Sequence, residues 1–168
     1  MSTPPTPINV LFLCTHNSAR SILAEALLNH LGSPRFRAFS AGSSPRENQQ
    51  PHPMALRVLQ NAGVDTQSLS SKSWDAFAHA DAPHMHLIIT VCDHAAGEVC
   101  PIWPGHPATA HWGYADPSQT SGSAEDMEAA FRSTLHQLHK RLESFINLPI
   151  ESFDQQALQT QARSLSHT

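Results

Sequence analysis

The chain has 168 residues, 40% of them apolar, and a formal net charge of −4. That is enough apolar content for one domain with a sizeable core. The lack of any basic stripe argues against nucleic-acid binding, and the lack of a long apolar run argues against a membrane span.

Met1 to Pro7 is a proline-rich stretch with neither a basic region nor an apolar core, so it reads as a flexible arm and not a signal peptide. This points to a cytoplasmic protein. In that reducing setting three cysteines are catalytic, metal-binding or inert rather than paired in structural disulfides. Twelve histidines scatter without zinc-site spacing, so no metal is expected. His30, His52, His79, His136 and His139 fit surface helix or loop positions.

Ile8 to Leu13 is short, apolar and β-branched at its start, which predicts a buried strand. From Ser21 to Leu31 the residues Leu23, Leu27 and Leu31 recur every four positions, with Ala24 and Leu28 beside them, and predict a helix that Gly32 and Pro34 stop. Arg35 to Gly42 alternates as a second strand. Pro53 opens a helix with Met54, Val58, Leu59 and Ala62 on one face. A short helix is expected around Ser73 to His79. His86 to Val91 and Ala108 to Trp112 read as two further strands. Ser123 caps a long helix carrying Glu125 and Asp126 in its first turn and Met127, Phe131, Leu135, Leu138, Leu142 and Phe145 along it. Residues 148 to 168 form a tail with a weak helical pattern in Phe153, Leu158 and Leu165. The division expected is therefore arm 1–7, domain 8–147 and tail 148–168.

Strands alternating with helices imply an α/β fold with a parallel sheet covered on both faces. Ligands then bind at the carboxyl ends of the strands, where Cys14, Gly42 and Cys92 all fall. Cys14-Thr15-His16-Asn17-Ser18-Ala19-Arg20-Ser21 links the first strand to the first helix. A helix start offers unpaired N–H groups and partial positive charge, so such a loop cradles a tetrahedral oxyanion. Arg20 adds a planar fork for two oxygens. The same field favours the Cys14 thiolate, the nucleophilic form. The bland alternative, a small buried cysteine at a strand end, leaves the surrounding loop without a task.

These residues, Leu13 to Ser21 followed by Ala24-Glu25, resemble the loop of the low-molecular-weight protein tyrosine phosphatase superfamily, and within it most closely the arsenate reductases. Phe39-Ser40-Ala41-Gly42, the segment Val91 to Pro101 and His111 to Ser118 resemble further blocks of the same family. The resemblance implies a three-layer fold with a four-stranded parallel sheet flanked by helices. It implies arsenate as substrate, with phosphate or sulfate as mimics. It implies no tightly bound cofactor, and an external thiol reductant, thioredoxin or glutathione with glutaredoxin, as partner.

Two positions depart from the family. His16 stands where glycine is usual and carries a Cβ into a crowded loop, and Ala19 stands where a second cysteine is frequent. Cys92 and Cys100 match a cysteine pair of the thioredoxin-coupled reductases and so suggest a disulfide relay. Two buried thiols, or a metal pair with His94, are the other readings. Asp116 before Pro117 matches the family's general acid, which a nearby oxyanion keeps in its protonated form; an Asp-Pro turn is the alternative. Asn17, Glu25 and Ser40 match residues that surround a potassium ion in some reductases. Lys72 falls at a fourth position, either replacing that ion with its ammonium or simply solvated. The competing activity is a tyrosine phosphatase using Cys14, Arg20 and Asp116.

Overall fold

The computed structural model describes residues 6–92 and 107–167. Its sheet has four parallel strands: β1 (Ile8–Cys14), β2 (Phe36–Gly42), β3 (Leu87–Thr90) and β4 (Ala108–His111), in the order β2-β1-β3-β4. The helices are α1 (Arg20–Gly32), α2 (Pro53–Asn61), α3 (Ala124–Ile146) and α4 (Gln155–Ser164). This is the four-stranded parallel sheet flanked by helices that the sequence implies. No helix among the described residues is long and apolar enough to cross a membrane.

β1 is buried along nearly its whole length because it pairs with β2 on one side and β3 on the other. Its side chains alternate between two cores. Val10 and Phe12 join Leu87, Ile89, Ala108 and Ala110 under the long helices, while Leu11 and Leu13 join Ala41, Ile88, Trp74, Phe77 and Met85 on the opposite face. The helix expected around 73–79 is one 3₁₀ turn, Trp74–Phe77, capped by the Ser73 side chain. In a 3₁₀ turn residues three apart eclipse, so Trp74 and Phe77 both reach the sheet. The expected apolar stripe of α1 is wider than its Leu repeat: Ser21 through Leu28 are all buried.

The capping box of α3 is complete, with Ser123 Oγ accepting from Asp126 N–H and Asp126 Oδ2 accepting from Ser123 N–H, at 3.2 and 3.0 Å. Residues 155–164 of the tail form α4. Trp112, fully buried between Phe12 and Phe145, donates its indole N–H to the Ala162 carbonyl at 2.8 Å. Leu158 and Ala162 therefore complete the core beside β4.

Candidate active site

β1 ends at Cys14 and α1 begins at Arg20, so the intervening loop lies at the carboxyl edge of the sheet. The start of β2's exit loop pins it. Ser43 and Ser44 N–H groups donate to the Cys14 and Thr15 carbonyls at 2.9 and 2.8 Å, and His52 N–H donates to the Ser18 carbonyl at 2.8 Å. Gly42 makes that approach possible. A Cβ built there would stand 2.6 Å from the Thr15 carbonyl oxygen and 3.0 Å from Asn17 N.

The left-handed residue of the loop is Asn17, at φ 56°, and His16 is not left-handed. Asparagine tolerates that conformation better than most residues. The extra Cβ of His16 therefore meets no strain of this kind. Asn17 is held by its own side chain: Nδ2 donates to Ser21 Oγ and Ser40 Oγ, each at 2.9 Å, and Oδ1 accepts from Lys72 N–H at 2.9 Å.

Ala19, at the N-cap of α1, provides no side-chain cap. The first N–H groups of the helix are thus left for a ligand. Arg20 lies over the loop with its Nη1 donating to the Tyr114 carbonyl at 2.9 Å and its Nη2 3.5 Å from Asp116 Oδ2. Its Nε is buried without a hydrogen-bond partner. An unsatisfied guanidinium donor beside open helix N–H groups is a cationic site of oxyanion shape. Asp116 is fixed in turn, its Oδ1 accepting from Ser118 N–H at 2.9 Å and Ser118 O–H at 2.6 Å.

Cys14 and Cys92 are buried thiols, not joined in a disulfide, brought together by the pairing of β1 with β3. They share a hydrogen bond, and Cys92 Sγ also lies 3.4 Å from Thr15 Oγ1. In this arrangement the helix field on Cys14 is opposed by its neighbour. The hydrogen bond with Cys92 and then burial push the Cys14 thiol up from its ordinary value. The charge of Arg20 and a backbone hydrogen bond from Thr15 offset only part of that rise. Cys100 and His94 lie outside the described residues, as does most of the Val91 to Pro101 block.

Beneath the loop, Ser40 O–H donates to Glu25 Oε1 in a short hydrogen bond. Lys72 is not simply solvated. Its Nζ donates to the Ser40 and Ser70 carbonyls at 3.0 and 2.7 Å. Burial pushes Glu25 up, against the pull of Ser40 and of the Lys72 charge, and burial pushes Lys72 down, against Glu25.

A cavity of about 590 Å³ opens above Cys14, Arg20 and Asp116. Its outer wall comes from residues 46–53, the segment that leads into α2. His52 is the chief omission. In the sequence it fits a surface position; in the structure it lines this cavity, and its ring packs on Phe131 with centroids 4.8 Å apart. Its position before Pro53, where a helix cap belongs, was the only available signal. Arg46 and Gln119 line the cavity as well, and among the described residues no Phe, Tyr or Trp does.

A profile of the low molecular weight phosphotyrosine protein phosphatase family matches residues 9–162. The chain belongs to that family. Among family members it is similar to an arsenate reductase of Halalkalibacterium halodurans, at 32% identity over 136 residues covering 81% of this chain and 93% of the relative. It is also similar to a solved arsenate reductase in a phosphate-binding state, with a TM-score of 0.66 and 26% identity over 83% of this chain and 96% of the other. A thioredoxin-dependent arsenate reductase of Corynebacterium glutamicum superposes with a TM-score of 0.55 at 25% identity, over 83% of this chain and 64% of that one.

Proposed function

We propose that the protein is an arsenate reductase in which Cys14 attacks arsenic and Cys92 completes the reduction. The observation that carries this reading is the thiol pair. A second sulfur within hydrogen-bond reach of the loop cysteine has no task in phosphate ester hydrolysis, whereas reduction needs one. The similarity to arsenate reductases over most of the chain supports it.

Arsenate binds as a dianion in the cradle of residues 15 to 21, with Arg20 turning its free Nε–H to an oxygen. The Cys14 proton passes to the incoming oxyanion, which relieves the pair of thiols that holds it. Cys14 sulfur then bonds to arsenic, and one oxygen leaves as water with a proton from Asp116. Cys92 next attacks the Cys14 sulfur, its thiol proton passing to an oxygen of the departing arsenite. The S–S bond forms, the S–As bond breaks, and its electron pair stays on arsenic, so arsenic goes from the +5 to the +3 state while two thiols become a disulfide. Cys100 takes over the disulfide from Cys14 by bonding to Cys92, and an external dithiol of the thioredoxin or glutaredoxin type restores the enzyme. Lys72 serves as a built-in cation: its ammonium holds the Ser40 and Ser70 carbonyls beside Glu25, while its backbone N–H steadies Asn17.

The test is Cys92→Ser, assayed for arsenite release with thioredoxin or glutathione–glutaredoxin and, separately, for aryl phosphate hydrolysis. Arsenite release is expected to vanish while any hydrolysis stays near wild type. Equal loss of both would make Cys92 structural and return the phosphatase reading to first place.

A further inference from the structure

His52 joins three structures that bear on the cavity. Its backbone N–H ties it to the anion loop through Ser18 O, its ring packs on Phe131 of α3, and its Nδ1 accepts the Met54 N–H at 3.1 Å as the N-cap of α2. The last contact decides the tautomer. An Nδ1 that accepts a helix N–H carries no proton, so the proton of the neutral ring sits on Nε2. Protonating Nδ1 would break the cap and set a positive charge at the positive end of a helix.

His52 lines the cavity with Cys14, Arg20 and Asp116, and the Asp116 carboxylate is near enough to act on the imidazole. Asp116 itself is already engaged by Ser118 and Arg20. The ring thus lies at the wall of a space in which the loop and Arg20 gather negative charge, and in its neutral form Nε2–H is its one N–H donor. A neutral donor suits this position because it adds a hydrogen bond to the anion without competing with Arg20 for Asp116.

We propose that His52 is an additional oxyanion-binding residue, whose Nε2–H meets an outer oxygen of the tetrahedral anion seated over Cys14. This rests on the reading of the cavity as an anion site and deepens it.

The experiment uses reduced wild-type protein and inorganic phosphate, observed through the ring nitrogens of His52 by NMR. The expected result is an Nε2–H tautomer without phosphate and a downfield shift of the Nε2 proton when phosphate saturates. His52→Asn keeps an oxygen to accept the Met54 N–H but lacks that donor. It is expected to weaken phosphate binding and raise KM for arsenate together, by about tenfold, the loss of one hydrogen bond to a charged acceptor. An Nδ1–H tautomer, a ring unmoved by phosphate, or unaltered phosphate affinity in His52→Asn overturns the proposal. If phosphate shifts the His52 proton but no arsenite is ever formed, the donor stands and the reductase reading falls.

Discussion

Substituting Gly42 by alanine tests the anchoring of the anion loop most directly. A Cβ at 42 would lie 2.6 Å from the Thr15 carbonyl oxygen and 3.0 Å from both Asn17 N and His16 C. Ordinary carbon–oxygen approach is about 3.3 Å, so the loop must retreat by roughly 0.7 Å. The three atoms are backbone and cannot turn aside as a side chain would. Either β2 parts from β1 or the loop moves. Parting is opposed by the Cys14–Gly42 pairing and the bonds from Ser43 and Ser44 to the loop carbonyls. Overpacking of this kind costs about 1–3 kcal/mol, and a misplacement approaching 1 Å costs on the order of 100-fold in rate. Gly42→Ala is therefore expected to lose about 2 kcal/mol in urea unfolding and on the order of 100-fold in kcat/KM for arsenate, with weaker phosphate binding. A variant with wild-type kcat/KM and an unchanged urea midpoint would refute the argument that Gly42 sets the loop's position.

Two further perturbations probe the groups beneath the loop. If Lys72 acts as an internal cation, potassium has no specific effect on the melting temperature of the wild type, and Lys72→Asp makes stability rise with potassium over sodium. A specific potassium effect on the wild type would count against this role. Glu25 has a folded-state pKa raised mainly by burial. The native state therefore holds the Glu25 proton more tightly than the unfolded chain, and this contribution to stability is complete below the unfolded pKa and is lost as pH rises through the folded one. Glu25→Gln should remove that decline, so urea midpoints of the two proteins should diverge with pH in this window; parallel curves would show that Glu25 titrates alike in both states.

The candidate anion loop was legible because its parts are contiguous. Strand, Cys14 to Ser21 and helix follow one another in the chain, and the anion cradle needs little more than a helix start. Ser123 and Asp126 likewise announce the start of α3, since a capping box is local chemistry. The strands were legible from short apolar runs, which must be buried to escape water.

What the sequence could not supply depends on elements far apart in the chain. β1 lies between β2 and β3, and only that order puts Cys92 against Cys14, so the rise in the Cys14 pKa follows from packing where the local helix field alone predicts a fall. Arg20 takes its orientation from the Tyr114 carbonyl, a backbone atom of no particular sequence signature. His52 reads as a surface histidine because its ring contact, Phe131, is far away in sequence and meets it only when α3 folds back. The chain thus determines by itself the candidate nucleophile, the candidate anion cradle and the elements that carry them. Tertiary structure decides the thiol pairing, the cavity wall and the charge each group feels, because burial and long-range contacts are properties of the assembled sheet and helices and of no single segment.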